Sequence, residues 1–215
     1  QAISNLRNRI EPKFAGLNGE KDNGNGSLMR IAPLIPYIYG LVEEQQIQII
    51  SEVSSLTHRH PRSILACIFL CKFAIQYLAT KEIPTAFAYT QKEIKYLLTQ
   101  EKFKNECSHF DRLVNLTYEQ FRNIAENDIK STGYVIDTLE ASFWSIFNNN
   151  DFKDSVLCAV NLGYDADTVG AITGALAGII YGHDSIPEEW LNVLARKEDI
   201  IELANKLDSA IKSNP

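Results

Sequence analysis

An uncharged stretch with a glycine at every fourth position constrains this chain more than any other feature of its sequence. Within NLGYDADTVGAITGALAGIIYG, residues 161–182, the stretch carries Gly170, Gly174, Gly178 and Gly182. On a helix these glycines share one face, and a face without side chains allows a second backbone to come close. Each glycine costs a helix about 1 kcal/mol relative to alanine. The pattern therefore predicts a core helix that gains close packing in return, in a run too short to span a membrane.

Helical spacing of apolar residues also dominates elsewhere, and no segment shows a sustained two-residue alternation. Pro61 suits a first helical position, Asp151 is a candidate N-cap, and Gly163 is a candidate C-terminal stop. The spacing predicts helices within five further segments: residues 43–56, 60–78, 133–147, 151–163 and 198–213. The sequence therefore predicts an all-α fold, with residues 1–215 in a single domain.

Composition narrows the class of protein and of partner. The 215 residues are 45% hydrophobic and 22% charged, as in ordinary globular domains, and the formal net charge of -6 argues against nucleic acid as the main partner. No signal peptide and no apolar run of about 20 residues stands out, so we expect no membrane association. No CxxC pair occurs, which predicts free thiols in a reducing compartment and a cytoplasmic protein. The four cysteines are Cys67, Cys71, Cys107 and Cys158.

Two carboxylates and a hydroxyl stand where the glycine-bearing helix is predicted to begin: Asp165, Asp167 and Thr168. One interpretation is capping, because Asp and Thr are good N-cap residues and carboxylates suit the positive end of a helix dipole. The other is metal binding, because three hard oxygen donors on a rigid backbone suit Mg²⁺ or Mn²⁺. An EF-hand is excluded, since its later ligand positions fall on Val169 and Leu176. The residues alone leave both interpretations open.

A second unusual segment is the glycine- and asparagine-rich loop DNGNGSLMRIAPL, which matches neither the GxGxxG fingerprint nor a Walker loop. Four of its residues can expose backbone amides to a ligand: Asn23, Gly24, Asn25 and Gly26. Ser27 is predicted to cap a helix that starts near Leu28. The alternative is a surface turn that leads into a helix. In the nearby LTHRHP, the spacing of His58 and His60 predicts surface residues rather than ligands.

Four segments in this order resemble the ADP-ribosylglycohydrolase family, of the dinitrogenase-reductase-activating glycohydrolase type. They are NGNGSLMRIAPL, THRHP, TGYVIDTLEASFW, and NLGYDADTVGAITGALAGIIYG followed by IPEEW. The resemblance implies a compact all-α orthogonal bundle with a two-metal centre of Mg²⁺ or Mn²⁺. It also implies a metal-dependent hydrolase that removes ADP-ribose from a modified side chain or related acceptor, by cleaving its N- or O-glycosidic bond. The implied partner is ADP-ribose or an ADP-ribosylated protein or small molecule.

The resemblance also implies roles for individual residues. Asp165, Asp167 and Thr168 match the metal motif, and both aspartates are implied in catalysis, with Asp167 matching the carboxylate that touches both ions. Tyr164 stands where the family often has glycine, so its ring is predicted to line or narrow the substrate mouth. The other implied substrate contacts are Asn23, Gly24, Asn25, Gly26 and Ser27 in the loop, together with His58, Gly133 and Tyr134.

Two motifs of the family, a G-D-A-x-G helix and a T-D-D-T sequence, have no counterpart in residues 1–215. In the family they supply the remaining metal ligands, so the chain resembles the C-terminal portion of a member and its metal centre is expected to be incomplete. This departure keeps an alternative open, a catalytically inactive ADP-ribose-binding or structural helical domain. Helices without their usual neighbours would expose apolar surface, which predicts self-association.

Overall fold

Helices make up the regular secondary structure of this protein, whose computed structural model describes residues 1–213. No strand occurs in these residues, and two isolated β-bridges join Leu17 to His58 and Gly24 to Tyr134. The all-α prediction is confirmed. The α-helices are α1 (Ala2–Arg7), α2 (Gly26–Met29), α3 (Ile35–Ile38), α4 (Glu43–Ser55), α5 (Pro61–Thr80), α6 (Ile83–Leu98), α7 (Asp111–Asn115), α8 (Tyr118–Arg122), α9 (Val135–Phe147), α10 (Phe152–Asn161), α11 (Ala166–Tyr181), α12 (Glu188–Val193) and α13 (Lys197–Lys212). The 3₁₀ helices are Pro12–Phe14, Ala32–Leu34, Lys104–Phe110, Glu126–Asp128 and His183–Ser185.

The central helix of the fold is α5, because its side chains are buried on nearly every side. It packs against α4, α6, α9 and α11, and 14 of its 20 residues are buried. By length and composition alone α5 could cross a bilayer, since the mean hydropathy of its most apolar window is 1.7. This corrects the expectation that no apolar run reaches that length. Burial among other helices accounts for the apolar composition, because 72% of that window lies inside the fold.

Aromatic rings join α5 to its neighbours in the core. The rings of Phe73 and Phe143 meet edge to face with their centroids 4.7 Å apart, which links α5 to α9. Phe87 and Phe147 are 5.0 Å apart and link α6 to α9. Edge-to-face pairs of this kind add to the free energy that burial of the rings already contributes. The core is therefore centred on α5, α6 and α9, away from the chain ends.

The helix α10 begins and ends where the sequence predicted. The side chain of Asp151 accepts a hydrogen bond from the backbone N of Asp154 at 2.8 Å, as an N-cap should. Gly163 follows the helix with a φ of 79°, in the left-handed region that favours glycine. The chain then enters α11, which packs against α10 and α9.

The glycine face of α11 has two different halves. A Cβ added to Gly170 would lie 2.8 Å from Cγ1 of Val160, and one added to Gly174 would lie 3.8 Å from another valine of α10. These glycines therefore let α10 come close, as predicted. A Cβ on Gly178 would meet nothing within 4 Å, and Gly182 lies beyond the helix end. The prediction of close packing is wrong for this second half, and α11 buries only six of its 16 residues.

The last described segment forms α12 and α13. The predicted helix in residues 198–213 is confirmed as α13, yet none of its residues is buried within the described part of the chain. It lies near α3, and its Leu203 is 70% exposed. Leu203 is one of several exposed apolar side chains along the chain, which also include Ile3 and Val42, and self-association stays a prediction.

Candidate functional site

The glycine-rich loop and the start of α11 lie against each other. The side-chain amide of Asn25 donates to Oδ2 of Asp165 at 2.5 Å and to Oγ1 of Thr138 at 2.8 Å. The backbone N of Asp165 in turn donates to the carbonyl of Ser131 at 3.0 Å. Three segments that are far apart in the sequence therefore meet at Asn25.

Backbone hydrogen bonds pair the loop with the turn that precedes α9. The backbone N of Asn25 donates to the carbonyl of Gly133 at 3.1 Å, and the backbone N of Val135 donates to the carbonyl of Asn23 at 3.0 Å. Gly133 also faces α11, since a Cβ added to it would lie 3.6 Å from Oδ2 of Asp165. The structure thus brings the loop, the turn and the first aspartate of the acidic motif together.

Two predicted contact residues of the loop turn their side chains inward. Asn23 is buried and accepts a hydrogen bond from Oγ of Ser63 at 2.9 Å. Ser27 is buried and lies 3.5 Å from Sγ of Cys67. The prediction that Ser27 caps α2 is wrong. The helix begins at Gly26, so Ser27 lies inside it and Asn25 occupies the N-cap position. Both side chains support the loop from beneath, and their contact with substrate stays a prediction.

His58 packs against the two glycines of the loop. A Cβ on Gly24 would lie 3.5 Å from its Nε2, and one on Gly26 would lie 3.0 Å from its Cε1, so the absent side chains make room for the imidazole. Its Nδ1 lies 2.9 Å from Oγ1 of Thr57. Burial lowers the pKa of His58 and the positive charge of Arg30 lowers it further. The ring is therefore neutral at pH 7.

His60 does not lie on the surface, contrary to the prediction from its spacing. It is buried, occupies the N-cap of α5, and accepts a hydrogen bond from the backbone N of Arg62 at 3.2 Å. Its Nε2 also lies 3.3 Å from a carboxylate oxygen of Glu20. The error arises because the histidine lies at a helix start and in a charged cluster beneath the loop, and the carboxylates of that cluster come from other segments of the chain.

The two interpretations of the acidic motif can now be compared. Asp165 occupies the N-cap position of α11, but its side chain makes no capping hydrogen bond. Asp167 is exposed, and its Oδ1 accepts from the backbone N of Thr168 at 2.8 Å. The Thr168 hydroxyl makes no hydrogen bond to any residue in the 1–213 range. Capping therefore fails to account for Asp165, whose carboxylate is engaged by the loop.

The donor set fits one divalent ion better than two. Mg²⁺ often binds through one or two carboxylates and completes its shell with water and substrate oxygens, which suits Asp165, Asp167 and Thr168. The two-metal centre implied by the resemblance needs more anionic ligands. Among the residues that the structure describes, no group of three or more His, Cys, Asp or Glu side chains is placed to hold a metal ion.

The two tyrosines of the predicted site differ. Tyr164 is 93% exposed, with a φ of 51°, so its ring is open to solvent. Tyr134 is half-buried, its Oη lies 3.1 Å from Nδ1 of His109, and a polar cleft of about 350 Å³ borders it. The structure joins Tyr134 to the loop through the bridge to Gly24. Tyr164 lies next to the acidic motif in sequence, and its role at a substrate mouth stays a prediction.

Two further residues of this site were not singled out from the sequence. Thr138 accepts the Asn25 amide and donates to the carbonyl of Thr132 at 2.8 Å. Thr138 lies inside TGYVIDTLE, one of the segments that resemble the family. No nearby residue indicates that its hydroxyl would contact the loop. Arg62 lies in the first turn of the long apolar helix α5, and a charged residue in so apolar a helix is the signal that could have identified it.

A sequence profile of ADP-ribosylglycohydrolases matches residues 1–215. The chain belongs to the ADP-ribosylglycohydrolase family. Among its relatives, ADP-ribosylarginine hydrolase Tri1 of Serratia proteamaculans is 34% identical over 186 residues, which are 86% of this chain and 46% of that protein. The ADP-ribosyl-[dinitrogen reductase] glycohydrolase of Rhodospirillum rubrum is 27% identical, over 89% of this chain and 57% of that protein.

The fold agrees with this family. A solved structure described as an ADP-ribosylglycohydrolase-related protein complex matches with a TM-score of 0.73 and 26% sequence identity. The match covers 96% of this chain and 76% of that chain. The chain spans about half the length of the curated glycohydrolases it matches.

Proposed function

We propose that this chain binds ADP-ribose and acts in its hydrolytic removal from an ADP-ribosylated protein or small molecule. The site is the loop at 23–26, His58, the turn at Gly133 and the start of α11. The hydrogen bond from Asn25 to Asp165 carries the proposal, because it holds the glycine-rich loop against the acidic motif at the start of α11. The activities named for two relatives, an ADP-ribosylarginine hydrolase and an ADP-ribosyl-[dinitrogen reductase] glycohydrolase, support the substrate class.

Each element of the site has a task that follows from its geometry. Gly24 and Gly26 let the imidazole of His58 lie against the loop, whose backbone amides are proposed to bind the diphosphate. The neutral imidazole of His58 can form a hydrogen bond to the nucleotide without adding charge. Gly133 leaves space beside Asp165 for a ribose. Because Asn25 engages one oxygen of Asp165, the other oxygen is oriented and available.

The acidic turn provides the negative charge that glycosidic cleavage requires. Water attacks the anomeric carbon as the bond to the acceptor breaks, and the proton that the water loses ends on the released acceptor. The transition state carries positive charge on the ribose, which Asp165 and Asp167 would stabilise. A Mg²⁺ or Mn²⁺ ion held by these aspartates and Thr168 would supply Lewis-acid polarisation and bind ribose hydroxyls. Asp167 is exposed and therefore accessible to such a ligand.

Calorimetry and a hydrolysis assay test this proposal together. We expect ADP-ribose to bind more tightly with Mg²⁺ present, and ADP-ribosylarginine to be hydrolysed in a metal-dependent way. Asp167→Ala should abolish both metal effects. Asp184→Ala is the matched control, because Asp184 is another exposed aspartate just beyond α11 and should leave them unchanged. Failure of the wild-type protein to bind ADP-ribose, or unaltered turnover in Asp167→Ala, would overturn the proposal.

A second candidate function is ADP-ribose binding without hydrolysis. The observation in its favour is the short donor set at α11, which provides two carboxylates and one hydroxyl. Under this alternative, ADP-ribose binds with the same affinity with and without Mg²⁺, and ADP-ribosylarginine stays intact. Any turnover that disappears in Asp167→Ala contradicts the alternative.

A further inference from the structure

A buried arginine lies beneath the proposed substrate loop. The side chain of Arg62, in the first turn of α5, is 5% exposed and donates to a carboxylate oxygen of Glu20 and to one of Glu106, each at 2.7 Å. Glu20 lies in the segment that leads directly into the loop, and Glu106 belongs to the 3₁₀ helix Lys104–Phe110. A planar guanidinium is well shaped to bridge two carboxylates. One side chain therefore links the loop to two other parts of the fold.

The contact with Glu20 reaches the site through the loop itself. The carbonyl of Glu20 accepts a hydrogen bond from the side-chain amide of Asn23 at 3.0 Å. The same Asn23 side chain accepts from Ser63, the residue after Arg62, at 2.9 Å. Two consecutive residues of α5 thus hold the start of the loop, directly before the glycines that face His58.

Arg62 also touches the other side of the site. Its guanidinium lies 5.8 Å from the centroid of the Tyr134 ring, within the range of a cation–π contact. Tyr134 is joined to Gly24 by a β-bridge. Arg62 therefore contacts the ring of one partner of this bridge directly, and it contacts the segment of the other partner through Glu20. Removal of the cation would free both segments and would leave the carboxylates of Glu20 and Glu106 without the charge between them.

We propose that Arg62 is a positioning residue that holds the loop and the Tyr134 turn in the geometry that binds ADP-ribose. The inference rests on the proposed function, because it concerns the same site. Arg62 has no contact with the substrate in this role. When Arg62 is absent, the loop occupies the binding geometry for a smaller fraction of the time, and the apparent Kd rises in inverse proportion to that fraction.

The test compares two buried cations on one helix. Lys72 also lies on α5, its side chain is also 5% exposed, and it pairs with Glu93 at 3.1 Å, away from the loop. Arg62→Met and Lys72→Met each remove one buried charge. Measured by calorimetry below the unfolding temperature of each variant, Arg62→Met should raise the Kd for ADP-ribose about tenfold or more, which corresponds to a competent fraction of about one in ten. Lys72→Met should stay within about twofold of the wild type.

A milder variant keeps the test decisive where Arg62→Met fails to fold. The side chain of Glu20 is 68% exposed, so Glu20→Ala removes the link to the loop without burying an unpaired charge. Glu20→Ala should raise the Kd for ADP-ribose several-fold relative to the wild type. Arg62→Lys, which keeps the positive charge, should bind ADP-ribose more tightly than Arg62→Met does. Wild-type affinity in Glu20→Ala, or an equal loss in Arg62→Met and Lys72→Met, overturns the positioning role. Failure of the wild-type protein to bind ADP-ribose overturns the proposed function itself and is thereby distinguished.

Discussion

The first turns of α5 and α11 both place polar residues at the start of an apolar helix, but the protein uses them in opposite ways. At α5, Arg62 and Ser63 are buried and paired with partners from other segments. At α11, Asp167 is exposed and the Thr168 hydroxyl is without a hydrogen bond in the described range. Position at a helix start is therefore a weak guide to function. The buried pairing of Arg62 and Ser63 holds the fold together, whereas the exposed carboxylate of Asp167 is accessible to a ligand.

The strongest test of this comparison is a pair of acidic substitutions. Glu106→Ala leaves the buried Arg62 with Glu20 alone, and the loss of one charged hydrogen-bond partner at a buried site should cost about 3 kcal/mol in the free energy of unfolding. Asp167→Asn changes an exposed residue and should cost within about 0.5 kcal/mol. Urea denaturation at neutral pH measures both values. Comparable losses in the two variants would show that the α11 cluster also supports the fold.

A third acidic residue sharpens the comparison, because Glu140 is buried but poorly paired. Its partner Arg112 lies 3.4 Å away, and burial raises the pKa of Glu140 to about 7. Since protonation then favours the folded state, its stabilising contribution is complete below pH 4.5 and is lost as the pH rises through about 7. A pKa shift of this size corresponds to a change of about 3 kcal/mol in the free energy of unfolding.

Glu140→Gln should remove this dependence. Relative to the wild type, the variant is expected to gain stability at pH 8 and to show little difference at pH 4.5, since Gln resembles the protonated acid. Urea denaturation of both proteins across this range measures the effect. A stability difference that stays constant with pH would contradict the assignment.

A smaller effect distinguishes the two halves of the glycine face in α11. Gly170→Ala would force a Cβ to within 2.8 Å of Val160, and overpacking of this kind costs about 1 to 3 kcal/mol. Gly178→Ala meets nothing within 4 Å and should stabilise the helix by up to about 1 kcal/mol. Thermal unfolding of the two variants checks the opposite signs. If both substitutions changed the stability in the same direction, the described packing of α11 against α10 would be contradicted.

The smallest expected effect on stability lies at the exposed end of the chain. Leu203 in α13 is 70% exposed, so Leu203→Glu should change the free energy of unfolding within about 0.5 kcal/mol. If α13 drives the predicted self-association, the same substitution should lower the molar mass measured by light scattering at high concentration. A wild-type protein that stays monomeric at every concentration would contradict that prediction.

Local signals mark the ends of two of the predicted helices, α5 and α10, whereas α4, α9 and α13 were predicted from the spacing of their apolar residues. Pro61, Asp151 and Gly163 mark helix ends through their own backbone geometry, so a single sequence was enough to find them. The spacing of apolar residues predicts no helix in residues 83–130. Most helices of this region after α6 are one or two turns long, and such short helices depend on packing against the core rather than on their own propensity.

The components of the candidate site were predictable, but their connections were not. The loop and the acidic motif each had an unusual composition, yet 140 positions separate Asn25 from Asp165. Arg62 and Glu106 are 44 positions apart, and no repeating pattern in the sequence predicts that their side chains form a hydrogen bond. His60 was misplaced for the same reason, because its burial depends on Glu20, which comes from another segment.

The two β-bridges and the long-range hydrogen bonds of Asn25 have a consequence for folding. Contacts between residues so distant in the chain cost more loop-closure entropy than local helical contacts do, so helices can form without them. A compact intermediate with all its helices in place, but with the start of α11 undocked, would give a normal far-UV circular dichroism spectrum and no nucleotide pocket. Ligand affinity is thus a stricter assay of complete folding for this protein than helical content.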